Sequence, residues 1–140
     1  MNKGIKVQKV VNVEQILGAT ARYHAVGVCV DNTGVNAVNN ANSVYHGKKM
    51  VFAGTPLMGD MAHRDVNNAF KVADANNSAK VVGVLLHTVC VDEGVVGDAT
   101  CLAGGVVNID RIPAEADVAN MITANVVTAL KGKIEFISDN

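Results

Sequence analysis

In this 140-residue chain, apolar residues come in short runs that turn residues keep interrupting. Ala25-Val26-Gly27-Val28-Cys29-Val30 gives way to Asp31-Asn32-Thr33-Gly34 and then to an Asn-rich loop over 36–43. Met50-Val51-Phe52-Ala53 stops at Gly54-Thr55-Pro56, and Phe70-Lys71-Val72 stops at Asp74-Ala75-Asn76-Asn77. Runs this short, rich in valine and bounded by Gly, Pro, Asn and Asp, read as closely spaced strands. A chain of this length supplies one core, so the expected fold is a single β-rich (α+β) domain. Its form is a small, mainly antiparallel β-barrel or β-tulip.

One segment departs from the strand pattern. Val118, Ile122, Val126 and Leu130 recur every four residues, and Val127 widens the stripe, which predicts one helix over about 113–131. Pro113 suits its start, Glu115 and Asp117 its positive end, and Lys131-Gly132 its stop. Ile134-Glu135-Phe136-Ile137 then reads as a closing strand.

The first 21 residues differ from the 22–140 domain. In GIKVQKVVNV, Ile5, Val7, Val11 and Val13 share one parity, with Val10 out of phase, which makes a strand-prone N-terminal arm. Counted with glycine and without tyrosine, apolar residues make up about 57% of the chain, against the usual 45–50%. The surplus is Val, Ala and Gly, since aromatics are only 4% and Trp is absent. Thin β-layers and close backbone contacts suit such residues better than an aromatic-lined pocket does. A surplus that one small core cannot absorb points to a subunit interface.

The stretch VVGVLLHTVCVDEGVVGDATCLAGGVVN, 81–108, carries the most chemistry. Folded as a hairpin about Val95 and Val96, it pairs Val82 with Ile109, Val84 with Val107, Leu86 with Gly105 and Cys90 with Cys101 on one apolar face. The other face pairs Leu85 with Val106 and His87 with Gly104. In that register the two cysteines are small buried hydrophobes, and His87 points away from both. A nucleophilic cysteine needs a base and an electropositive setting, and a zinc site needs more ligands at workable spacing.

His63-Arg64-Asp65 imitates a kinase catalytic loop, but Phe70 stands where that loop needs Asn. Gly54-Thr55-Pro56 is a turn, since no phosphate-binding motif surrounds it. The expectation is therefore a protein with no enzymatic activity, cofactor or metal. A net charge of −1 with scattered Lys and Arg argues against nucleic acid or an anionic membrane as partner. The N-terminus lacks the apolar run of a signal peptide, so synthesis and retention in the cytosol are expected.

The order of features from about 50 to 137 resembles the head decoration proteins of tailed phages and the related head fibre proteins of small phages. The matching elements are AGTPLMGD (53–60), GVLLHTVCVDEG (83–94), CLAGGVVNIDRIP (101–113), an Ala-rich helix and the IEFI strand. YHAVGVCVDNTGV fits the head fibre members more loosely, and residues 1–49 are longer and more Asn-rich than a minimal decoration protein needs. The resemblance implies a homotrimer on the outer surface of an expanded capsid, assembled in the host cytoplasm and bound to the major capsid protein. It also implies that the arm adds as a strand to an edge of the shell. Another trimeric virion part, such as a tail or baseplate module, is the alternative. A small thiol enzyme using Cys29, Cys90 or His87 is the reading from outside the virion.

Overall fold

The computed structural model describes residues 16–74, 77–113 and 118–138. The domain is β-rich, with eight strands among the described residues. They are β1 (Leu17–Asp31), β2 (Met50–Val51), β3 (Pro56–Met58), β4 (Lys71–Val72), β5 (Val81–Leu85), β6 (Val89–Cys90), β7 (Val95–Asn108) and β8 (Ile134–Ile137). Two short helices, α1 (Val118–Met121) and α2 (Ala124–Ala129), precede β8.

The main sheet runs β1-β7-β5-β3-β4, and every neighbour along that path is antiparallel. β8 joins β7 in parallel, and β2 pairs with β6 as a separate ribbon. The five-strand path then meets its own beginning. Phe70, just before β4, donates its N–H to the Cys29 carbonyl at 2.6 Å and accepts from the Asp31 N–H at 3.0 Å. This parallel bridge between Val30 and Phe70 closes the path into a small barrel. A short antiparallel domain thereby covers part of the edge it would otherwise expose.

Apolar side chains lie on both faces of this sheet. Val28, Val30, Leu57, Phe70, Leu85, Ala99 and Cys101 form one buried cluster. Val84, Leu102 and Val107 turn to the other, where Ile16, Phe52, Val118, Val126 and Leu130 join them. The alternation Val84/Leu85 and Cys101/Leu102 is the strand pleat sending successive residues to opposite sides. At the entrance to β3, Gly54 adopts φ 95° and packs under Ile112, where an added Cβ would meet Ile112 side-chain atoms at 2.9 Å. That turn is closed by the buried Thr55 hydroxyl, which donates to the Phe52 carbonyl at 2.7 Å.

Three expectations need correction. The first concerns the 81–108 register. Strands β5 and β7 do pair antiparallel, but Val84 lies opposite Leu102 and Leu85 opposite Cys101, where Val107 and Val106 were expected. The displacement is odd, so the faces exchange. Both faces are buried, so apolar parity does not select a register. The competing partners decide it: β1 takes Val95 to Val107 along one edge of β7. After Leu85 the chain leaves β5, and Val89 and Cys90 pair with Val51 and Met50. Cys90 therefore does not face Cys101; it is exposed, and only Cys101 is buried. Val84, Leu86 and Val107 are core residues as expected, whereas Val82 and Ile109 are half-buried.

The helix is the second. Its expected first turn, 114–117, lies outside the described residues, and the rest is interrupted. Thr123 is extended (φ −83°, ψ 172°), and its hydroxyl accepts the Val126 N–H at 3.4 Å, capping α2. A threonine hydroxyl competes with the helical ladder for nearby N–H groups, and here it starts a new helix. Val118, Val126 and Leu130 are buried as expected, and Ile122 packs half-buried against the same cluster. Val127, at 43% exposure, lies off the stripe.

The N-terminal boundary is the third. β1 begins at Leu17, inside the segment expected to be arm, and Ile16 and Leu17 are core residues. Ile5, Val7, Val10, Val11 and Val13 lie outside the described residues.

Candidate functional site

The reactive residue types are dispersed by the fold, and most have structural duties. His63 Nδ1 lies 2.9 Å from Asp60 Oδ2, with the two side chains 66% and 64% exposed. The hydrogen bond to His63 is the main influence holding the Asp60 carboxyl below its ordinary value, and the same bond raises the His63 imidazole. A pair this open to water is strongly screened. Next in the chain, Arg64 donates through Nη1 to the Gly27 carbonyl at 3.0 Å and through Nε to the Met61 carbonyl at 3.1 Å. Asp65 accepts from Asn68 Nδ2 at 2.8 Å. The His-Arg-Asp triplet thus closes a turn, ties its loop to β1 and steadies the short 3₁₀ turn at 66–68.

The cysteines stand apart. Burial pushes the Cys101 thiol up to about 12, so it stays protonated and unreactive at neutral pH. Cys29 is half-buried and Cys90 exposed. At pH 8, a thiol reagent is expected to modify Cys90 rapidly in the native protein and Cys101 only after unfolding. Peptide mapping of the labelled sites checks this, and equal labelling of Cys90 and Cys101 would contradict the register. Among the described residues no group of three or more His, Cys, Asp or Glu side chains is placed to hold a metal ion. No helix among them is long and apolar enough to cross a membrane.

A cleft of about 370 Å³ lies between the 34–39 loop, β2 and α1, lined by Val38, Phe52, Thr55, Val72 and Met121 among others. None of its described lining residues is titratable, so it offers shape and amide groups rather than acid–base chemistry.

Ionic chemistry concentrates at the barrel seam. Lys71 Nζ lies 2.7 Å from Asp31 Oδ2, and the Thr33 N–H donates to Asp31 Oδ1 at 2.9 Å. Burial is the largest single influence on the Asp31 carboxyl and raises it, but the hydrogen bonds from Lys71 and Thr33 together leave it below the ordinary aspartate value. A carboxyl depressed in the folded state contributes stability above its unfolded value, about pH 4, and loses it as pH falls through the folded value. The melting-temperature gap between wild type and Asp31→Asn is therefore expected to hold steady from pH 7 to about 5 and to narrow below about pH 4. A gap unchanged down to pH 2 would show that the seam is not held by the charge.

The second edge of β1 carries fewer strand partners among the described residues. Among the described residues, the strand partners of β1 are β7 along one edge and the Phe70 bridge at the end of the other. Two arginines far away in sequence hold carbonyls on that outer edge, Arg64 at Gly27 and Arg111 at Leu17, the latter at 2.9 Å. Tyr23, on the same strand, is 51% exposed. Sequence reasoning missed this edge and both arginines, because neither has a local pattern that announces its partner. The apolar residues it did single out for the core of the hairpin and helix are core, apart from the exposed Cys90 and Val127 and the half-buried Val82, Ile109 and Ile122.

Comparison with protein-family models and with curated proteins finds no match for the chain.

Proposed function

We propose that the protein is a structural component of a phage virion that binds the exterior of the capsid as a homotrimer and stabilises the expanded shell. The observation that carries this reading is the order of elements in the second half. GVLLHTVCVDEG supplies β5 and β6, CLAGGVVN supplies the end of β7, two short helices follow, and IEFI forms β8 back on β7. That is the sequence order in which the head decoration and head fibre proteins resemble this chain. The β-rich fold suits a protein that works by contact. No reaction is part of the proposal, and the partners are copies of itself and the major capsid protein.

Co-sedimentation with expanded capsid shells, followed by imaging, is the test. Saturable binding with trimeric density on the outer surface is the expected result. A folded protein that leaves the shells bare would overturn the reading and direct attention to tail or baseplate assemblies. Full shell binding by a variant lacking all three cysteines would separate this function from thiol chemistry.

A further inference from the structure

We infer that the cleft between the loop at Gly34, the 3₁₀ turn Ser78–Lys80 and the start of α2 is a binding site for a small neutral polyol, a single sugar ring in size. The inference goes beyond the capsid reading and does not depend on it.

The cleft encloses about 380 Å³, at the small end of the roughly 300–1,000 Å³ that small-molecule sites occupy. It shares Gly34 and Met121 with the cleft beside β2 but differs from it in its polar groups. The most buried of these is Ser78, which is 6% exposed. It opens the 3₁₀ turn that packs against α2, and its hydroxyl has no hydrogen-bond partner among the described residues. The other two buried polar residues described both have one: Thr55 donates to the Phe52 carbonyl, and Asn108 accepts from the Asp110 N–H. A buried hydroxyl without a partner is costly, and folded proteins pair nearly all of them. Ser78 therefore points to a group from outside the chain.

The walls select that group. Ala73 and Val126 are buried and Met121 is half-buried, which gives the cleft an apolar side. Asp74, Asn120 and Thr123 are its exposed lining residues. Asp74 Oδ1 accepts the Asn77 N–H at 3.0 Å, and a carboxylate accepts more than one bond. The Thr123 hydroxyl accepts the Val126 N–H, which leaves its own proton to donate.

Charge argues against ionic ligands. Asp74 is the one charged side chain among the described lining residues, and it stands in water. An ammonium group drawn in to Ser78 would lose its hydration with no buried counter-charge beside it. An anion would meet the Asp74 carboxylate on entry. A hydroxyl meets neither penalty, and it can donate to Ser78 or accept from it. A ring with C–H groups on one side and hydroxyls around its rim matches both parts of the cleft. Its C–H side covers Met121 and Val126, one hydroxyl reaches Ser78, and others meet Asp74 and Asn120.

The test uses the full-length protein without capsids. Glycerol, glucose, galactose and N-acetylglucosamine are titrated in turn, with n-butylamine and inorganic phosphate as charged probes. Nuclear magnetic resonance follows the Ser78, Thr123 and Val126 amides. At least one sugar is expected to shift these amides saturably, with Ser78→Ala weakening it about tenfold, the worth of one hydrogen bond. Without sugar, Ser78→Ala is expected to melt no lower than wild type, because it removes a hydroxyl that lacks a partner. Asn120→Ala is expected to weaken the same sugar without moving the melting temperature, and it decides alone if Ser78→Ala fails to fold. A Ser78→Ala variant that folds but melts lower would show the hydroxyl already bonded within the protein and overturn the inference. So would amides that no sugar shifts, or a sugar that binds both variants as tightly as wild type. Saturation by n-butylamine or phosphate in place of every sugar would overturn it as well.

Discussion

Phe70→Ala is expected to cost about 3–5 kcal/mol, the range for truncating a fully buried phenylalanine. That is a large fraction of the roughly 5–15 kcal/mol that holds a domain of this size folded. Phe70 is 0% exposed and sits in the cluster with Val28, Val30, Leu57 and Leu85. Its ring lies against Gly59, where an added Cβ would collide with it. Its backbone makes the two hydrogen bonds that join the last strand of the barrel path to the first. Truncation leaves a cavity at the seam itself, so closure and core weaken together. Urea unfolding measures the loss, with Val66→Ala as control, since Val66 is 60% exposed and should change stability by no more than about 0.5 kcal/mol. A loss below about 1 kcal/mol for Phe70→Ala would mean that the seam contributes little.

Gly83→Val is expected to be comparably damaging for the opposite reason. Gly83 is buried in β5, and a Cβ there would overlap the Leu102 carbonyl oxygen and come within 2.6 Å of Cys101 Sγ. A backbone carbonyl in a paired strand cannot swing aside as a flexible side chain can. Overpacking typically costs about 1–3 kcal/mol, and a β-branched residue against a fixed backbone should reach or exceed the upper end. Gly83→Ala should fall between glycine and valine. A fall in melting temperature that grows with side-chain size would confirm the crowding, whereas equal stability of all three would show that β5 and β7 can move apart.

Gly83 also shows the limit of reading this chain locally. As a sequence feature it is a small residue in an apolar run, and nothing beside it says that another strand crosses within contact distance. The strands at 50–51, 71–72 and 134–137, the second half of β1 at 25–30 and the start of β5 at 81 were legible, because residues that break regular structure stand at one or both ends of each run; that β1 starts at Leu17 and that β5 stops at Leu85 were not. The helical stripe was legible in its buried members Val118, Val126 and Leu130. Its interruption at Thr123 was hidden, because a threonine within a helical pattern becomes a cap only when the chain turns there.

The candidate site was much less legible. Arg64 reaches a carbonyl 37 residues away and Arg111 one 94 residues away, so no spacing rule connects either to β1. Cys90 and Cys101 looked like partners because one register placed them so, and the structure puts them in different sheets.

By itself, the sequence determined the β-rich class, the approximate strand positions and the C-terminal order of helix then strand, since these follow from local punctuation and side-chain periodicity. Only the tertiary structure decided which strands pair and in which register. The physical reason is that apolar clusters cover both faces of this sheet, so parity carries no register information. The choice then falls to competition among strands distant in sequence: β1 and β5 for the edges of β7, and Phe70 for the end of β1.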